Sequence, residues 1–138
     1  MPYGGRMYPS LGTEGGLRPY AAALKGAEIR AADFEEALEV AVGGDLVYLD
    51  PPYTVAHGNN GFLRYNESIF SWKDQQRLAA IAAELDHKGC RVIVSNAAHN
   101  SIRELYSGFR TIPVSRQSRI AADPARRLVT HELIFTNV

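Results

Sequence analysis

Two short apolar runs flank one long amphipathic stretch, and this spacing constrains the fold more than any other feature. Leu46-Val47-Tyr48-Leu49 has the β-branched and aromatic content of a buried strand, as does "CRVIVSN", residues 90–96. Between them, "SWKDQQRLAAIAAELDHKG" places Leu78, Ile81, Ala82 and Leu85 on one helical face. Ser71 is its N-cap, Asp74 follows three residues on, and Gly89 stops it. Helical crossovers between strands imply a mostly parallel sheet in an α/β fold.

Other elements extend the same order. "AEIRAADF" reads as a short strand ending at Asp33 and Phe34. "DFEEALEVA" reads as a helix capped by Asp33 and ending at Gly43-Gly44. "AHNSIRELYSGF" reads as a helix, and "FRTIPVSRQ" with "RLVTHELIFTN" as an antiparallel strand pair. Residues 1–19 are rich in Gly, Pro, Tyr and Arg without periodicity and read as a loop or extended arm, with a short helix expected over 20–26. Residues 54–71 form a long polar loop bearing Phe62, Tyr65 and Phe70, a length that suggests function.

Composition excludes several classes. In 138 residues, 46% are apolar, 22% are charged and the formal net charge is zero, so no global basic field advertises nucleic acid. The lone cysteine, Cys90, cannot form an internal disulfide framework and reads as a small buried hydrophobe. The four histidines lack metal-ligand spacing, so no metal is expected. No apolar run nears the ~20 residues that span a membrane, and no signal peptide opens the chain. The expectation is a soluble cytoplasmic protein.

The chemistry concentrates after the first apolar run, in "DLVYLDPPYTV". Asp50 ends the strand, and Pro51 and Pro52 stop the ladder. Open α/β sheets bind ligands at such strand ends. The Asp50 carboxylate and the Pro51 carbonyl are acceptors, and Pro52 offers no N–H, so the turn suits a donating group such as an exocyclic amine. An amine held between acceptors keeps its lone pair available for an electrophile. Tyr53 adds a face on which a base can stack, worth ~1–3 kcal/mol. The alternative is a capped turn with Tyr53 packed against the core. Trp72 reads as packing, and Arg126-Arg127 as a solvated turn or a phosphate contact.

"DLVYLDPPY" resembles motif IV of the amino-methyltransferases that use S-adenosylmethionine. "GFLRYNESIFSWKDQQRLAAIAAELDHKGCRVIVSN", "SIRELYSGF" and the terminal "HELIFTN" extend the likeness to the C-terminal half of Dam-type DNA adenine N6-methyltransferases. "MPYGGR" is similar to a segment of their target-recognition region, and "IRAADF" to their motif III.

The resemblance implies a partial Rossmann-like methyltransferase fold, with a mostly parallel sheet, a C-terminal antiparallel pair and flanking helices. Residues 1–19 would be a remnant of the target-recognition region and 20–138 a portion of the catalytic core. It implies S-adenosylmethionine as cofactor, double-stranded DNA as partner and a role of the restriction-modification kind. Asp50, Pro51, Pro52 and Tyr53 would form the catalytic turn around a flipped adenine. Asp33, Phe34 and Asp50 would contact the cofactor. Arg6, Phe62, Arg64, Tyr65, Arg116 and Arg119 would meet DNA, the loop aromatics at the base and the arginines near phosphates.

The family's "F-x-G-x-G" cofactor loop is absent, and Gly4-Gly5, Gly15-Gly16 and Gly43-Gly44 do not follow a strand and open a helix as it does. The chain therefore reads as the second half of such an enzyme, with the 46–49 strand left open at an edge. A second polypeptide or protomer would complete it, or the chain is marginal alone. Two rivals remain: an rRNA guanine amino-methyltransferase, and a non-catalytic half that binds DNA or a partner.

Overall fold

The structure, a computed structural model, describes residues 14–55, 69–117 and 129–138. The chain divides into two compact units, Met1–Ala32 and Asp33–Val138.

In the first unit, α1 spans Glu14–Ala23, with Pro19 inside it. The Leu24 N–H still bonds the Tyr20 carbonyl at 3.0 Å before Gly26 turns the chain at φ +93°. Residues 14–19 are thus helical where an irregular arm was expected. The expected strand over 27–34 does not form. Residues 27–33 have no regular structure, and Ile29 is 81% exposed. Its apolar content is mostly alanine, which has little strand preference, and an extended segment becomes a strand only when a neighbour pairs its backbone.

The second unit is a sheet with helices packed on it. Its elements are α2 (Phe34–Leu38), β1 (Leu46–Leu49), α3 (Trp72–His87), β2 (Arg91–Ala97), α4 (Asn100–Leu105), β3 (Arg110–Gln117) and β4 (Val129–Thr136). The sheet order is β1-β2-β4-β3. β1 and β2 pair in parallel across the α3 crossover, and β4 runs antiparallel to both β2 and β3. Three strands therefore share one direction and β4 alone is reversed, in the α/β class expected.

Local sequence explains the boundaries. Ser71 and Asp74 close a reciprocal capping box at the start of α3. Helix α2 is shorter than its apolar spacing suggested, because Val40 and Val42 are exposed and the Asp45 carboxylate takes the Val42 N–H at 3.0 Å. The loops before β1 and β2 lie against each other. A Cβ on Gly43 would meet the Lys88 carbonyl oxygen at 2.7 Å, and the Gly44 N–H bonds the Gly89 carbonyl at 2.9 Å.

The core lies on one face of the sheet. Val47, Leu49, Val92, Val94, Leu133 and Phe135 meet Leu78, Ala82 and Leu85 of α3 and Ile102 of α4, with Tyr106 just beyond, stacked on Phe135 at 4.9 Å. Alternation along each strand sends Leu46, Tyr48, Ile112 and Val114 to the opposite face. Asn137 secures the C-terminal end. Its amide accepts from the Val92 N–H at 2.7 Å and donates to the Cys90 carbonyl and to Asp86 at 2.8 and 2.6 Å. Among the described residues no helix is long and apolar enough to cross a membrane.

Candidate active site

The turn after β1 sits where strand direction and proline chemistry place it, at the carboxyl end of the parallel pair. Asp50 is exposed, and no described residue donates to its carboxylate. Pro51 is buried, and no described residue donates to its carbonyl. The Pro52 carbonyl differs, because it accepts from the Gln75 side-chain amide at 3.1 Å. The half-buried Tyr53 joins its hydroxyl to the Ser95 hydroxyl at 2.9 Å. The next residue, Thr54, is buried and donates to the Phe70 carbonyl at 2.7 Å. Of the three acceptors at the turn, Pro52 is committed, while Asp50 and Pro51 stay open among the described residues.

Asp33 and Phe34 stand nearby through shared neighbours. The Asp33 carboxylate caps α2 through the Glu35 N–H at 2.9 Å and takes the Arg77 guanidinium at 2.7 and 2.5 Å. The capping bond and the guanidinium together hold its pKa below the ordinary 3.8. Arg77 also reaches Asp74 and Glu35, each at 3.3 Å. Its guanidinium carbon lies 4.2 Å from the centre of the Phe34 ring, which in turn meets Phe70 at 5.7 Å. The start of α3 thus serves both groups, Gln75 holding the turn and Arg77 holding Asp33 and Phe34. A groove between α2 and α3, lined by Leu38, Ile81 and Lys88 among others, lies further along α3 and includes no residue of the turn.

Arg116 lies in β3 opposite Thr130. Arg6, Phe62, Arg64, Tyr65 and Arg119 fall outside the described residues. Sequence reading did not single out Gln75 or Arg77, and took Ser95 and Asn96 only as the end of the "CRVIVSN" strand. Gln75 left a signal, since it continues the apolar stripe of Leu78, Ala82 and Leu85 and is fully buried. A glutamine on such a stripe needs partners.

Comparison with known proteins adds a family. A family described as D12 class N6 adenine-specific DNA methyltransferase matches residues 1–120. The DNA N-6-adenine-methyltransferase of Escherichia phage P1 is 32% identical over 81% of this chain and 16% of its own length. The type II methyltransferase M1.LlaDCHI of Lactococcus lactis subsp. cremoris is 36% identical over 80% of this chain and 39% of its own. The type II methyltransferase M.MjaIII of Methanocaldococcus jannaschii is 33% identical over 99% of this chain and 48% of its own. The chain thus spans less than half the length of these curated relatives.

Proposed function

The chain belongs to the D12 class N6 adenine-specific DNA methyltransferase family, and from that premise we propose that it carries the target-base half of an enzyme that methylates adenine N6 in double-stranded DNA. The observation that carries this reading is the pair of open acceptors, Asp50 and Pro51, beside the Tyr53 ring. The adenine amino group has two N–H donors. One meets the Asp50 carboxylate and the other the Pro51 carbonyl, so the nitrogen lone pair stays out of the bonding plane. As that nitrogen gains positive charge, the carboxylate stabilises it and is placed to take its proton. N6 is inaccessible inside the duplex, so the base is extruded at a cost of a few kcal/mol. Stacking on Tyr53 offsets ~1–3 kcal/mol of this.

S-adenosylmethionine supplies the electrophilic methyl group. Asp50 and the Phe34 ring fit such a cofactor. The Asp33 carboxylate is engaged by Arg77, so a cofactor amine there competes with a guanidinium. Arg6, Arg116 and Arg119 approach phosphates, Arg64 meets DNA, and Phe62 and Tyr65 close over the base. Residues 1–19 belong to the target-recognition region and 20–138 to the catalytic core. A second polypeptide or protomer brings the remaining half and pairs with the open edge of β1. The enzyme works on DNA in the cytoplasm.

Labelled methyl transfer to adenine-containing duplex, with the chain alone and with a polypeptide carrying an "F-x-G-x-G" half, tests this reading. Asp50→Ala abolishes transfer with little loss of folding, and activity within about twofold of the parent would sink the assignment. Calorimetry on the isolated chain gives a cofactor dissociation constant on the order of 1 mM or weaker, ~4 kcal/mol or less. Low-micromolar binding without a partner would show a complete cofactor site.

A further inference from the structure

We propose that Gln75, Asn96 and Ser95 are positioning residues that lock the Pro52–Tyr53 end of the turn from both faces of the sheet, so that the Tyr53 ring is held ready for the target base beside the Asp50 and Pro51 acceptors. This rests on the reading of the turn given above.

Gln75 and Asn96 are both fully buried side-chain amides. Each occupies a place where an apolar side chain would pack without polar groups to satisfy. Their bonds form one directed relay. The Ala97 N–H donates to Asn96 Oδ1 at 2.8 Å, Asn96 Nδ2 donates to Gln75 Oε1 at 3.0 Å, and Gln75 Nε2 donates to the Pro52 carbonyl at 3.1 Å. Side-chain amides can be turned end for end, but backbone groups cannot. A backbone donor at one end and a backbone acceptor at the other leave only one orientation for both amides.

The relay acts on the last soft torsion of the turn. Proline rings fix φ at residues 51 and 52, and the second proline restricts ψ of the first. What remains is ψ of Pro52, which sets the direction of its carbonyl and the position of Tyr53. Gln75 holds that carbonyl. Ser95 and Asn96 are adjacent in β2, so their side chains leave opposite faces of the sheet. Asn96 works through Gln75 from the core face, while Ser95 holds the Tyr53 hydroxyl from the other. An acceptor array fixed before the substrate arrives needs no reorganisation during the reaction.

Asn96→Asp is the sharpest test, because it keeps shape and, measured at a pH where the carboxyl is ionised, exchanges the donor for a charged acceptor. The new carboxylate draws Gln75 Nε2 towards itself and turns Oε1 against the Pro52 carbonyl, acceptor to acceptor. Gln75→Met keeps bulk and removes both bonds. In nuclear magnetic resonance spectra of the full chain, the parent shows coupling across the hydrogen bond from Gln75 Nε2 to the Pro52 carbonyl carbon. Asn96→Asp abolishes it and shifts the Tyr53 ring signals, while Phe135 signals stay in place. In methyl transfer, both variants lower kcat roughly ten- to a hundredfold and leave KM for duplex within about twofold. Ser95→Ala and Tyr53→Phe give smaller losses that add less than fully, since both break the Ser95–Tyr53 bond.

Unmoved Tyr53 signals in Asn96→Asp overturn the proposal, and so does an unchanged kcat in a variant whose turn has moved. If Gln75→Met fails to fold, Asn96→Asp and Ser95→Ala decide. If the parent does not turn over, the spectra decide. Asp50→Ala separates the two ideas. Transfer that survives it rejects the reading of the turn, whereas transfer lost in Asp50→Ala but intact in Asn96→Asp rejects only the relay.

Discussion

The two faces of the sheet carry similar residues and meet different surroundings. On one face Val47, Leu49, Val92, Val94, Leu133 and Phe135 are buried beneath the helices. On the other, Leu46 and Tyr48 are 65% and 59% exposed, and Ile112 and Val114 are near 38%. β1 is apolar at every position, the pattern of a strand meant for burial on both sides. Among the described residues of this unit, helices cover only one side. That pattern would suit a further layer on the exposed face, and the chain spans less than half the length of the relatives it matches.

The largest test of the comparison lies on the covered face. Phe135→Ala removes the ring that stacks on Tyr106 and lies opposite Val94 in the sheet. Loss of packing and the cavity left behind cost about 3–5 kcal/mol. Thermal unfolding drops by roughly 12 °C or more for a unit of this size. A loss under about 1 kcal/mol would mean that this face is no better packed than the other.

Asn137→Ala comes next. Its amide replaces ladder bonds beyond the last residue of β4 and ties the end of α3 to the start of β2. Losing these partly solvated bonds costs about 1–2 kcal/mol in denaturant unfolding. An unchanged midpoint would show that water serves those groups equally well.

Tyr106→Phe runs the other way. The Tyr106 hydroxyl is buried without a hydrogen-bond partner among the described residues, and burial raises its pKa well above the ordinary 10. Removing the oxygen while keeping the ring gains up to about 1 kcal/mol. The sign of the pH effect follows from linkage. The unfolded phenol ionises near pH 10 and the folded one does not, so the parent loses stability as pH rises past that value. The variant escapes this part of the loss. Parallel decline of parent and variant between pH 9 and pH 11, on the order of those values, would place a partner on the hydroxyl.

The contrast also explains what could be read in advance. Periodicity revealed α3 with its cap, β1, β2 and the final antiparallel pair, because these bury a regular stripe or alternation in a core within the unit. It misjudged 27–34, where "AEIRAADF" has the alternation but no strand beside it to satisfy its backbone. The Asp50–Tyr53 turn stood out because prolines after an apolar run have few other uses. The groups that hold it did not. Gln75 and Asn96 lie 21 residues apart and meet only after folding. Arg77 and Asp33 are joined over 44. Local pattern carries no information about such pairs.

The smallest effect in the isolated chain falls on the uncovered face. Leu46→Thr with Tyr48→Thr replaces two large apolar side chains by a polar residue of good strand preference. More than half of each is already in water, so little burial is lost, and unfolding midpoints stay within about 0.5 kcal/mol of the parent. In an assembly that completes the sheet, the outcome changes. Each side chain would then be buried against the added layer, and each fully buried side chain of this size contributes about 1.5–3 kcal/mol. The double variant therefore weakens association with an "F-x-G-x-G" polypeptide by tenfold or more while leaving the isolated chain alone, an order of magnitude per ~1.4 kcal/mol. Sedimentation with and without that polypeptide reads both quantities. A marked loss of stability in the isolated chain shows that this face is already packed. Unchanged association shows that the added polypeptide docks elsewhere, and either result removes the distinction between the two faces.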